Sequence, residues 1–199
     1  MQSIFSPNLI ALIELTGYFG LFFIIFAESG LFFGFFFPGD SLLFTAGLLS
    51  SQGLLNIFYL VPIVVLGAIL GDSVGYWFGK KVGPKIFSRE DSFFFDKRHI
   101  ERTKSFYLKY GPRAIILARF VPIVRTFTPI FAGVGDMPYH TFIRYNIIGG
   151  VVWAAGSTLL GYFFGSVIPN AENYLLPIIF VVIFVSFLPI IFEFWKNRS

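Results

Sequence analysis

Cysteine is absent from the 199 residues, which excludes disulfides and cysteine-ligated metals without choosing a compartment. Charge is scarce as well: Asp, Glu, Lys and Arg make up 13% of the chain, against roughly a quarter in soluble domains. With 56% hydrophobic residues and a mean hydropathy of +0.77, the chain lacks the polar surface to cover itself in water. Lipid is therefore expected to be the solvent for much of it. The two histidines, His99 and His140, stand alone and make no metal site, and no other cofactor is implied. A Walker loop is missing, which argues against ATP as an energy source in this chain. A lipid phosphatase would need a nucleophile with an acid–base partner, and no such constellation occurs, so an enzyme is not expected. The N-terminus has no early Lys or Arg and no small-residue cleavage site behind its first apolar run, so that segment is expected to be retained.

Long apolar stretches fill the chain instead: Leu9–Ala27, Leu31–Leu49, Ile57–Phe78, Ala114–Val134, Phe142–Ile168 and Leu175–Trp195. Each is near the roughly 20 helical residues that a bilayer core requires. Two do not read as plain spans. The second contains Phe37-Pro38-Gly39-Asp40, and the fourth contains Arg119-Phe120-Val121-Pro122-Ile123-Val124-Arg125, then Pro129 and Gly133. A proline removes a helix donor, and a charge beside each break argues for discontinuous helices, read here as re-entrant hairpins.

Of 15 Lys and Arg residues, ten lie between Lys80 and Arg113, and Lys196 and Arg198 close the chain. The positive-inside rule places that basic loop, 80–113, and both termini in the cytoplasm. This topology also accounts for the pI near 9.4 better than nucleic-acid binding does. The expectation is one all-helical membrane domain over 1–199: four transmembrane helices plus two re-entrant hairpins, ending in a transmembrane helix at 175–195.

An internal repeat accompanies it. Gly75-Tyr76-Trp77-Phe78-Gly79 recurs as Gly161-Tyr162-Phe163-Phe164-Gly165, and Ala46-Gly47 recurs as Ala132-Gly133, both at an offset of 86 (161 − 75 and 132 − 46). Each half is a hairpin followed by a span, and the two spans end on opposite sides. That is the inverted repeat of many secondary transporters.

Five ionisable residues fall at membrane depth: Glu28, Asp40, Asp72, Arg119 and Arg125. Each charge at a helix centre costs roughly 2.5 to 3.5 kcal/mol on insertion scales, so partners or water must compensate. Glu28 and Asp40 would be about 18 Å apart along one continuous helix, but a break at Pro38-Gly39 can fold them toward one cavity. Arg119 and Arg125 bracket Pro122 in the same way. Two guanidiniums suit a phosphate, which arginine binds through paired donors, and a nearby carboxylate can release it by competition or by changing protonation. The alternative is a salt-bridge cluster that only locks the hairpins together.

At these positions the chain resembles the DedA family of bacterial membrane proteins, which shares a domain with eukaryotic lipid scramblases. The resemblance is carried by Glu28, Phe37-Pro38-Gly39-Asp40, Gly71-Asp72-Ser73-Val74-Gly75-Tyr76-Trp77-Phe78-Gly79 and Arg119-Phe120-Val121-Pro122-Ile123-Val124-Arg125-Thr126. Ala132-Gly133, Met137, Phe142, Asn146, Gly149 and Trp153 continue it, so that it covers about residues 17–166. It implies a multi-pass protein of the bacterial cytoplasmic membrane that uses the proton-motive force, with members implicated in returning undecaprenyl phosphate across the membrane. It also implies that Glu28 and Asp40 are the acidic, proton-coupling residues and that Arg119 and Arg125 bind substrate. The partners implied are a membrane lipid, a polyprenyl phosphate, and protons. A proton-coupled small-ion carrier or channel, and a structural membrane protein, are the other readings.

Gly67, Gly71, Gly75 and Gly79 share one helix face, as do Ser157, Gly161 and Gly165, which favours close helix packing and leaves a homo-oligomer open. Asp72, beside the first of these faces, reads equally as a further acidic site residue or as a packing hydrogen-bonder. Asp96–Tyr110 reads as an interfacial helix drawn to anionic lipid or as a solvated loop helix.

Overall fold

The computed structural model describes residues 7–31, 39–86 and 111–167; the expected interfacial helix at 96–110, the C-terminal helix at 175–195 and Pro38 of the first break lie outside them. The described residues are helical throughout, without a strand. In chain order they form α1 (Pro7–Gly30), α2 (Gly39–Ser51), α3 (Ile57–Ile86), a 3-10 turn at Gly111–Arg113, α4 (Ala114–Ala118), α5 (Pro122–Val134) and α6 (Tyr139–Gly150). A π-helical turn at Val151–Ala155 then leads into α7 (Gly156–Val167).

Among the described residues two helices are long and apolar enough to cross a membrane, Ile57–Val82 and Tyr139–Val167, and Thr16–Gly30 is a shorter apolar helix. Side-chain placement reverses that of a water-soluble protein. Phe58 is 82% exposed and Val167 79%, whereas Glu28, Asp72, Arg119 and Arg125 are all at most 4% exposed. In water such a surface would be untenable, and in lipid it is the arrangement that turns large apolar side chains to the solvent and keeps these four charges inside.

Helix ends depart from the apolar stretches where the backbone outlasts the hydropathy. Helix α1 runs on through Gly30 and takes Glu28 into its last turn, and α3 continues past Phe78 to Ile86 with Lys80 and Lys81 inside it. Cations near a helix C-terminus are favoured by its dipole, so these lysines prolong the helix rather than end it.

The break at Pro122 is present. Helix α4 closes on 3-10 hydrogen bonds, the last from Val121 N–H to the Ala118 carbonyl at 2.9 Å, and Val121 then turns extended at φ −122°, ψ 105°. A residue before proline is pushed out of the α region, and proline at the first helical position sacrifices a donor that has no partner there anyway. Helix α5 stops at a Schellman motif: Met137 N–H reaches the Ala132 carbonyl, Asp136 N–H reaches the Gly133 carbonyl, and Asp136 sits at φ 52°.

Contacts divide the chain into two compact units. The first takes described residues 7–22, 39–64 and 155–167; the second takes 23–31, 65–86 and 111–154. In the first unit α2 packs on α7 with the two backbones touching. A Cβ added to Gly47 would collide with the Thr158 carbonyl, and one added to Gly161 would collide with the Phe44 carbonyl. In the second unit α5 packs on α3 in the same manner, Gly133 against the Tyr76 carbonyl and Gly79 against the Ile130 carbonyl. On α2 and α5 the matched positions are 86 apart (133 − 47 and 130 − 44), but on α3 and α7 they are 82 apart (158 − 76 and 161 − 79). The position of α3 that corresponds to Gly161 of α7 in its own crossing is therefore Gly79 rather than Gly75, one helical turn along the stripe. Around the second crossing Tyr76, Ile115, Ala132, Met137 and Phe142 form a core, with Tyr76 stacked on Phe142 at 4.7 Å and its hydroxyl donating to the Met137 carbonyl at 2.5 Å.

Candidate functional site

The second unit gathers four of the five sequence-selected charges. Glu28 comes from the last turn of α1, Asp72 from the middle of α3, Arg119 from the end of α4 and Arg125 from the first turns of α5. Arg119 Nη2 donates to Asp72 Oδ2 and to Asn146 Oδ1, both at 2.5 Å, and Arg125 Nη2 donates to Glu28 Oε1. Asp40 belongs to the other unit, exposed on the first turn of α2.

The local sequence explains how both arginines are delivered. In one continuous helix, residues six apart point about 120° away from each other and lie about 9 Å apart along the axis. The break between Arg119 and Pro122 removes that constraint. As a result both guanidiniums lie against the indole of Trp153, with Arg125 Cζ 4.7 Å and Arg119 Cζ 5.8 Å from the ring centroid. Such cation–π contacts are worth about 2 kcal/mol or more when desolvated.

Backbone approach supports the same cluster. Gly30 of α1 and Gly71 of α3 meet so closely that a Cβ on either would strike the other helix's backbone. That contact brings Glu28 and Asp72, each one or two residues from a crossing glycine, into one buried layer. Gly149 and Gly150 of α6 lie along the Arg119 side chain, where a Cβ at 149 would come within 3.0 Å of Cδ and 3.1 Å of Nε.

Asn146 and Trp153 are the members that charge-based reading passed over. Both occur in the family-like pattern, but neither is charged, and only their contacts show a role. Asn146 accepts from Arg119 and donates from Nδ2 to the Ile69 carbonyl at 3.0 Å, which sets the orientation of its amide. Arg119 Nε and Nη1 and Asp72 Oδ1 are buried and have no hydrogen-bond partner among the described residues. The Asp72–Arg119 pair is thus joined through one oxygen and one nitrogen, although both groups are built for two parallel bonds. A buried ion pair of this kind has polar capacity in reserve for a small anion, a water or a proton. His140, at the start of α6, is exposed.

Comparison with known proteins shows the family. The VTT domain model matches residues 37–163, well over half of the chain. Protein DedA of Escherichia coli K12 is 45% identical over 180 residues, covering 89% of this chain and 82% of that protein. An uncharacterized membrane protein of Mycobacterium tuberculosis is 49% identical over 172 residues, 85% of this chain and 75% of its own. Another from Mycobacterium leprae is 44% identical over 174 residues, 87% and 78% respectively. No solved structure matches. With a domain match that spans Asp72, Arg119 and Arg125, and relatives named as membrane proteins along most of its length, this chain is a membrane protein of the VTT-domain DedA family.

Proposed function

We propose that the protein is a transporter driven by the proton-motive force that moves a lipid phosphate, undecaprenyl phosphate in the first instance, across the cytoplasmic membrane. The observation that carries this reading is the pair of buried arginines against one indole, each bonded to a carboxylate from a different helix. Guanidiniums in a low-dielectric setting favour a phosphate over water, and they bind it through paired donors. A phosphate that takes those donors deprives Asp72 and Glu28 of their counter-charge. A proton is then the remaining means of neutralising a buried carboxylate, which couples substrate to proton. Arg119 and Arg125 are the substrate-binding residues in this scheme, Glu28 and Asp40 the proton-coupling ones, and Asp72 joins them as a competing acid. No step is enzymatic, and no nucleic acid or cofactor takes part.

The topology belongs to the same proposal. Four spans and two re-entrant hairpins, inverted between halves, with both termini in the cytoplasm of a bacterial cell, satisfy the positive-inside rule. The two glycine crossings of like pattern support a repeat, since each joins a hairpin helix to a long helix. The test is accumulation of undecaprenyl phosphate in reconstituted vesicles, with and without an imposed pH gradient. Gradient-dependent accumulation is expected; ion flux in vesicles lacking the lipid, with no lipid movement, would replace this reading by a proton-coupled ion carrier or channel. A purely structural role is the second reading, favoured by the fact that both arginines already have acidic partners, and it is separated by charge-conserving substitutions at those arginines.

A further inference from the structure

The buried positions of the long helix from Tyr139 step regularly through Phe142, Asn146, Gly149 and Trp153, at intervals of four, three and four. Gly150, Ala154 and Ala155 are buried as well, so three successive residues, Trp153 to Ala155, lie inside at the π-helical turn, Val151–Ala155, before Thr158, Gly161 and Gly165 follow in α7. A π turn inside an α-helix is rare and recurs at functional sites. Here it carries a large buried aromatic residue. Trp153 is 2% exposed although its neighbours Val151 and Val152 are half exposed.

What the π turn keeps inside is the plate beneath Arg119 and Arg125, and one helical run before it Asn146 holds Arg119 by the same Nη2 that Asp72 holds. Nη2 is therefore occupied twice, Arg119 Cζ lies 5.8 Å from the centre of an indole, and Gly149 packs so close that a Cβ there would come within 3.1 Å of Nε. The remaining donors, Nε and Nη1, are buried and have no hydrogen-bond partner among the described residues. We propose that Trp153 and Asn146 are positioning residues, which hold Arg119 so that Nε and Nη1 are presented to the phosphate of a lipid headgroup. This inference rests on the function proposed above and adds to it the residues that set phosphate affinity.

The test uses the full chain in two measurements. Trp77→Phe with Trp195→Phe leaves Trp153 as the sole tryptophan of three, with the site intact. Its emission in detergent is titrated with farnesyl phosphate and, in a second arm, with inorganic phosphate. A saturable change is expected, with a lower midpoint for farnesyl phosphate; an equal midpoint for inorganic phosphate still supports the site but assigns it to the free anion. In vesicles, Trp153→Leu and Asn146→Leu are each expected to raise the half-saturating lipid phosphate by about tenfold with the maximal rate kept within about threefold, while Trp153→Phe, which retains a ring face, recovers most of the loss. A merely structural role would lower abundance and maximal rate together and leave half-saturation unchanged, which overturns the inference. If the single-tryptophan parent titrates and transports but both leucine variants saturate as it does, positioning is wrong and the transport reading stands. A parent that neither titrates nor transports removes both.

Discussion

Arg119 Nη2 lies 2.5 Å from Asp72 Oδ2, a contact across 47 residues between the broken end of α4 and the centre of α3, and both side chains are at most 3% exposed. Removing one partner strands the other, and a stranded buried charge typically costs about 3 to 5 kcal/mol. Arg119→Ala and Asp72→Ala should each lower membrane abundance and the midpoint of thermal aggregation in detergent. The double substitution should be less damaging than the sum of the two. Additive effects would show that the pair is not coupled.

Arginine can be replaced without removing its charge. Arg119→Lys and Arg125→Lys keep a cation beside Asp72 and Glu28 but lose the planar fork. Lipid-phosphate transport should fall by about tenfold or more at near-normal abundance, as expected for loss of a bidentate contact. Normal transport by both variants would reduce the arginines to a diffuse electrostatic role.

Proton coupling is tested at the carboxylates. Glu28→Gln and Asp40→Asn preserve shape but cannot ionise. Each should abolish accumulation driven by an imposed pH gradient, while downhill exchange or binding persists. Accumulation that survives both substitutions would exclude these two residues as the coupling site.

The glycine crossings make a contrast in stability. Gly47→Ala and Gly133→Ala drive a Cβ into a facing carbonyl, and overpacking of this sort costs about 1 to 3 kcal/mol. Gly20→Ala, on α1 with open space around it, should be neutral or stabilise by about 0.4 to 1 kcal/mol. Equal effects in thermal scans would mean that the crossings are looser than described.

Orientation is accessible because the chain has no native cysteine. Leu54→Cys, on the exposed turn after α2, should react with an impermeant thiol reagent from outside the cell. Asp136→Cys, on the exposed turn after α5, and Ser88→Cys in the basic loop should react only once the cytoplasm is opened. Labelling of Ser88→Cys from outside would overturn the inside location of that loop and, with it, the inverted topology.

Much was decided by the sequence alone, wherever the cause is local. Scarce charge with long apolar stretches names the solvent; Pro122 breaks a helix through its own ring and its effect on Val121; glycines four apart mark the faces on which helices meet. Family-specific residues at spaced positions identified the family before any contact was known. What sequence could not supply is which surfaces meet and in what register. The stripe repeats every four residues, so which glycine of α3 meets a facing carbonyl is open until the backbones are docked; it is Gly79, against the Ile130 carbonyl, whereas a Cβ on Gly75 would meet nothing closer than 3.4 Å. The pairing of Arg119 with Asp72 and of Arg125 with Glu28, rather than the reverse, depends on crossings 47 and 97 residues apart along the chain. The same holds for Asn146 and Trp153: an uncharged amide and one indole in a chain with 41 aromatic residues carry no local mark of their role. Only the folded packing of that helix against the segments carrying Arg119 and Arg125 brings the indole to the arginines, a juxtaposition that exists only in three dimensions.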